Sequence, residues 1–85
     1  MDIRSAQDFQ KGHILGAVNL PNFAEENALE VIKLDRARPV IVVCAQGHQS
    51  PSVAIRLKAQ EFLNVSVLQG GMNAWQGSGL PVVKN

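Results

Sequence analysis

The run Val40-Ile41-Val42-Val43-Cys44-Ala45-Gln46-Gly47-His48-Gln49-Ser50-Pro51 decides how this chain folds. Four β-branched residues in succession fit a strand buried on both faces, and the Gln-Gly-His-Gln-Ser stretch breaks that pattern into a loop. Ser50 is a favourable N-cap with Pro51 at the first helical position, so the loop is expected to open directly into a helix. The single cysteine is therefore expected where a buried strand ends and where the unpaired amides and positive end of a helix dipole begin.

On either side of this run, strand and helix signals alternate without repeats, low-complexity tracts or a linker. That order predicts an α/β fold, one domain over residues 1–85 with a mostly parallel sheet. Residues 2–4 read as the end of a first strand whose earlier part is expected to lie upstream of this sequence. A short helix over 5–10 follows, with Ser5 as its cap, Asp8 at the third position and Gly12 as its stop. Residues 17–20 read as a short strand ended by Pro21. Apolar residues at 24, 28, 29 and 32, with Glu25 and Glu26 early and Lys33 late, predict an amphipathic helix over 24–34. Arg36-Ala37-Arg38-Pro39 forms a basic turn into the cysteine strand. The helix after the loop is expected over 50–62, with one stripe of Val53, Ala54 and Leu57 and another of Ile55, Ala59 and Phe62, hence buried on two sides. Residues 65–68 form the last strand, Gly70-Gly71 a turn, and 72–76 a short helix ended by Gly77.

Composition narrows the function. The chain is 46% apolar and 18% charged, with mean hydropathy near zero, which describes a globular chain with one core. Eight basic and seven acidic residues are scattered to a net charge of +1, so no polybasic patch recommends nucleic acid or a membrane surface as a partner. No apolar run approaches the roughly 18 residues of a membrane span. Residues 1–4 do not read as a signal peptide, which makes the cytoplasm the expected compartment. One cysteine excludes an intrachain disulfide, and no Cys/His cluster has metal spacing, so neither a metal nor a cofactor is expected.

A lone cysteine can be a small core residue and nothing more. The turn between Cys44 and the helix start distinguishes this one: successive amides there can close into a cradle that favours the thiolate. The run resembles the active loop of the rhodanese-like sulfurtransferases, Cys-x-x-Gly-x-Arg-Ser, at Cys44, Gly47 and Ser50. Asp2-Ile3-Arg4 resembles the family's Asp-Val-Arg, and Gly12-His13-Ile14-Leu15-Gly16-Ala17 its Gly-His-Ile-Pro-Gly-Ala. Leu68-Gln69-Gly70-Gly71-Met72-Asn73-Ala74-Trp75, followed by Gly79-Leu80-Pro81, is similar to its closing signature.

This resemblance implies a three-layer fold, a small parallel sheet flanked by helices on both faces, and a two-step transfer of sulfur. Cys44 is the expected nucleophile. It would take the outer sulfur of thiosulfate or another small sulfur-containing anion and pass it from a persulfide to cyanide or a thiol. Ala45, Gln46, Gly47, His48, Gln49 and Ser50 would bind the substrate, and a monomer is expected. A single cysteine suits this cycle, because a persulfide is discharged by an outside acceptor and needs no resolving thiol.

The chain departs from the pattern at Gln49, which stands where the family has arginine and offers neutral donors in place of a charged fork. His48 beside it restores a positive charge in mild acid, so activity on thiosulfate is expected to improve there. Leu15 replaces a proline, and Glu61 stands where a glycine would cap the loop helix, so a left-handed cap is not expected there. A cysteine phosphatase would need arginine six residues after Cys44, where this chain has Ser50. A non-catalytic rhodanese-like module that binds a protein remains the alternative. His13 is read as a structural histidine and Met72 and Trp75 as core residues, with Gly70-Gly71 as a candidate pocket wall. Arg4 is expected either to pair with Asp8 or to attract anions.

Overall fold

Val40, Val42 and Cys44 alternate with Ile41 and Val43, so a strand through them sends one set to each face of a sheet. A computed structural model of the chain, describing residues 1–21 and 35–84, realises this alternation. Strand β1 (Val40–Val42) pairs in parallel with β2 (Val65–Val67), Val40 opposite Val65 and Val42 opposite Val67. Beyond the other edge of β1, Asp2 forms parallel bridges to both Val43 and Asn19. The amide of Ile3 donates to the Val43 carbonyl and that of Val43 to the Met1 carbonyl, each at 2.8 Å. The expected strand at 17–20 is reduced to the bridge at Asn19. The helix expected at 24–34 lies outside the described residues.

Three helices are described: α1 (Ala6–Lys11), α2 (Ser50–Ala59) and α3 (Gly71–Gly77). Ser5 caps α1 as expected, its hydroxyl accepting from the Asp8 amide at 3.1 Å. Helix α2 lies on the Val40 and Val42 face of the sheet, where Val53, Ala54 and Leu57 join Ile3, Cys44 and Phe62 in one buried cluster. Burial of these side chains, at roughly 1.5–3 kcal/mol for each large one, is what fixes α2 against the strands. The second stripe is not buried: Ile55 is 69% exposed and Ala59 is also exposed. Only Phe62 of that stripe is internal, and it lies beyond the end of the helix. No helix among the described residues is long and apolar enough to cross a membrane.

The end of α2 corrects a second expectation. Glu61 adopts the left-handed conformation itself, at φ 68°, although it is not glycine. The Phe62 amide then reaches the Leu57 carbonyl at 3.2 Å and the Glu61 amide reaches that of Lys58 at 3.0 Å. These two bonds make a Schellman cap, with Phe62 and Leu57 as its apolar pair. The cap satisfies carbonyls that would otherwise be unpaired, which offsets the roughly 1–2 kcal/mol cost of a left-handed L-residue. The basic turn before β1 adds to the same corner: Arg36 donates to the Gln60 carbonyl at 2.8 Å, and its guanidinium lies 5.0 Å from the centre of the Phe62 ring.

The first strand and α1 are joined by a buried ion pair. Arg4 contacts both carboxylate oxygens of Asp2, with the shortest bond at 2.8 Å, and donates a further 2.8 Å bond to the Gly12 carbonyl. Its partner is thus Asp2 and not Asp8, because the buried carboxylate two residues away is aligned by the strand while Asp8 faces solvent on α1. Asn19 completes the knot by donating to the carbonyls of Asp2 and Arg4, both at 3.0 Å. His13 is structural as expected: it is buried, stacks on Phe9 at 3.7 Å, and its Nδ1 lies 2.8 Å from the Phe9 carbonyl. The sequence offered no sign of its antiparallel bridge to Val83.

Two stability outcomes follow. Glu61→Gly removes the left-handed strain, and because glycine also loosens the unfolded chain the net gain should be about 0.5–1 kcal/mol, read as a higher urea midpoint at unchanged m-value. Arg4→Met leaves the Asp2 carboxylate buried without its cation and should cost about 3–5 kcal/mol, a large part of the stability of a domain this size.

Candidate active site

Cys44 follows Val40 and Val42 in the two-residue alternation, so its side chain is delivered to the α2 face of the sheet just beyond the strand end. The residue is only 2% exposed and forms the floor of a recess of about 260 Å³ lined by Cys44, Ala45, Gln46, His48 and Gln49. Five of the seven residues expected at the site therefore line one hollow. Gly47 and Ser50 contribute differently.

The Gly47 amide donates to the Cys44 sulfur at 3.1 Å. Gly47 has φ 85°, and a Cβ there would sit 2.8 Å from the Gly70 nitrogen, so both the turn and its close seating require glycine. Ser50 is not the N-cap. Gln49 already has helical angles and no side-chain cap, which makes Ser50 the first residue of α2 and turns its side chain inward. Its hydroxyl is fully buried and makes no hydrogen bond of regular geometry. It lies close enough to the Cys44 sulfur to favour the thiolate.

Burial by itself pushes the Cys44 thiol pKa up. The Ser50 hydroxyl and the amides of Gln49, Ser50 and Gly47 more than reverse this, and the pKa ends below that of an ordinary cysteine. Donors converging on one sulfur are what a thiolate needs in place of water.

What holds the donors inward lies behind the loop. The amides of Met72 and Asn73, in the first turn of α3, donate to the carbonyls of Cys44 and Ala45 at 2.8 and 2.9 Å. With these carbonyls drawn toward α3, the loop amides are free to face the sulfur. A Cβ on Gly71 would overlap the Cys44 carbonyl oxygen and the Ala45 carbonyl, so the contact needs glycine there. Gly70-Gly71 is thus the seat of the loop and not a wall of the recess, which neither residue lines. Met72 is buried as expected, whereas Trp75 is half-exposed and donates through Nε1 to the Pro81 carbonyl at 2.9 Å. Arg4, buried with Asp2, is not placed to draw anions to the recess. A larger hollow, about 460 Å³, lies at the other end of β1 beside Arg38, Pro39 and Val40 and holds no nucleophile. Among the described residues no group of His, Cys, Asp and Glu side chains could hold a metal ion.

A small parallel sheet that places one cysteine in a loop ahead of a helix is the α/β arrangement of the rhodanese-like domains that the chain superposes on. The chain matches the rhodanese-like domain model over residues 1–78 and belongs to that family. It is 38% identical over 85 residues to the uncharacterised protein YibN of Escherichia coli K12, a match that takes in 99% of this chain and 59% of YibN. To the thiosulfate sulfurtransferase GlpE of Shewanella oneidensis it is 43% identical over 76 residues, 88% of this chain and 72% of that protein. Among solved structures, the Alr3790 protein of Anabaena superposes with a TM-score of 0.84 at 29% identity, over 99% of this chain and 66% of that one. A rhodanese-related protein of Thermoplasma volcanium gives 0.81 at 26% identity, over 100% of this chain and 82% of that one.

The depressed pKa has a measurable sign. Alkylation of Cys44 by iodoacetamide should be half-maximal below the pH of about 8.5 typical of a free cysteine, and Ser50→Ala should move that midpoint up. A wild-type midpoint at or above 8.5 contradicts the amide cradle. Because the folded pKa is the lower one, ionisation adds stability that is complete above the unfolded thiol's pKa and is lost as pH falls through the folded value.

Proposed function

We propose that this domain is a sulfurtransferase that carries sulfane sulfur on Cys44. The observation that carries the reading is a single buried sulfur at the floor of a recess that accepts the Gly47 amide at 3.1 Å, with the Gln49 and Ser50 amides and the Ser50 hydroxyl near enough to hold its pKa down. Membership of the rhodanese-like family and the resemblance to the thiosulfate sulfurtransferases GlpE support it.

In the first step the Cys44 thiolate attacks the outer sulfur of the donor. The bond between the donor's two sulfurs breaks, and its electron pair leaves with sulfite when the donor is thiosulfate. Cys44 then bears a persulfide. In the second step a thiol or cyanide attacks the outer sulfur of the persulfide, and the thiolate of Cys44 is restored. Each step is a displacement at sulfur with no net change in the redox balance, so no cofactor is required. The cradle serves both ends of the cycle, because the same amides that hold a thiolate hold a persulfide anion in its place. Ala45, Gln46, His48 and Gln49 form the walls through which donor and acceptor must pass.

Exposure to thiosulfate and to other sulfane-sulfur donors should add one sulfur atom to the intact protein, removable by cyanide and absent from Cys44→Ala. If no donor yields such an adduct, the domain is a binding module and not a sulfurtransferase.

A further inference from the structure

We propose that the donor this site selects is a persulfide, whose transferable sulfur is bonded to the sulfur of an organic thiol, in preference to an oxyanion donor such as thiosulfate. The inference rests on the reading of Cys44 as the sulfur carrier and concerns what that carrier accepts.

The donors at the floor of the site are directed at one atom. The Gly47, Gln49 and Ser50 amides and the Ser50 hydroxyl act on the Cys44 sulfur, and the hydroxyl has no other partner although it is fully buried. This set suits a single sulfur anion. A dianionic donor also brings a sulfonate, whose oxygens must lose water on entering the recess and find charge or hydrogen bonds in return. Among the described residues, none of the five that line the recess is a lysine or arginine. The rim offers the amides of Gln46 and Gln49 and the ring of His48, all exposed and none a fixed cation. Charged hydrogen bonds to an oxyanion are about twice as strong as neutral ones, and a bidentate guanidinium adds fixed geometry that a primary amide lacks. The neutral rim therefore does little for a sulfonate. It accommodates the uncharged carbon body and peptide-like groups of an organic persulfide, which present amides and methylenes to glutamine side chains.

The step balances without a further reactant. The Cys44 thiolate attacks the outer sulfur of R–S–SH, the S–S bond breaks, and RS⁻ departs with the electron pair. The proton passes from the new Cys44–S–SH to RS⁻, leaving R–SH and a persulfide anion within the amide cradle.

The test is the rate at which the reduced 85-residue protein gains sulfur, followed by intact mass, from the persulfide of N-acetylcysteamine, an uncharged thiol with one amide, and from thiosulfate. Each rate is divided by that of the same donor with free cysteine. The expected result is an enhancement at least about tenfold greater for the persulfide. In Gln49→Arg the ratio of thiosulfate to persulfide loading should rise about tenfold or more, with the gain lost at high salt. His48→Arg, on the same exposed rim, is the second variant should the first fail to fold. Loading from thiosulfate with equal or greater enhancement overturns the donor preference and leaves the sulfurtransferase reading intact, as does an unchanged ratio in both variants. Loading from neither donor overturns both.

Discussion

Two hydrogen bonds behind the cysteine loop, from the Met72 and Asn73 amides to the Cys44 and Ala45 carbonyls at 2.8 and 2.9 Å, decide which way the loop faces. A peptide unit turns as a plane, so drawing its carbonyl toward α3 fixes the direction of the neighbouring amide. The donors around the sulfur are thus a consequence of packing elsewhere. Gly71 permits the approach because any side chain there would meet the Cys44 and Ala45 backbone, and Gly47 permits the reciprocal contact with Gly70. The chemistry at one end of β1 accordingly depends on a turn more than 20 residues later in the chain. The parallel pairing of β1 with β2 is what brings that turn into place.

The rest of the domain keeps this arrangement rigid. Val40 and Val42 share a face with Cys44, and α2 covers that face through Val53, Ala54 and Leu57. The same helix starts at Ser50, so the side chains that fix α2 on the sheet also fix the distance from Ser50 to the sulfur. At the far end of α2, the Schellman cap and Phe62 prevent the helix from sliding along its axis. On the opposite side of β1 the Asp2–Arg4 pair ties the first strand to Gly12, and the backbone of residues 1–3 in turn pairs with Val43, next to the cysteine. A buried ion pair contributes little net stability against an apolar substitute, but its several directional bonds specify one geometry.

Much of this was legible because it is local. A run of β-branched residues, a glycine in a six-residue turn and a serine-proline helix start are read within a dozen positions, and they predicted β1, the loop and α2. The cap of α1 at Ser5 was legible for the same reason. What escaped was set by partners distant in sequence. Ser50 looked like an N-cap because its residue type favours one, but Gln49 had already turned helical and Ser50 was left to face the sulfur. Arg4 looked like a partner for Asp8 at helical spacing, while the extended strand aligned it with Asp2. Glu61 appeared to forbid a left-handed cap, and the two hydrogen bonds it completes outweighed its own preference. The Gly70-Gly71 pair was visible as a turn, but only the fold could show what it touches.

The place of the Ser50 hydroxyl beside the Cys44 sulfur accounts for a serine at the helix start whose buried oxygen has no hydrogen bond. A buried hydroxyl without a partner costs about 1–3 kcal/mol, a penalty that a resting structure has no reason to retain. The cost is recovered only when the sulfur beside it carries charge, because a hydroxyl donating to an anion makes one of the stronger hydrogen bonds available. The protein therefore favours the ionised sulfur twice over, through fixed amides that cannot turn away and through a hydroxyl that gains most when the charge is present. Such a site is poorly matched to a neutral thiol and well matched to a thiolate.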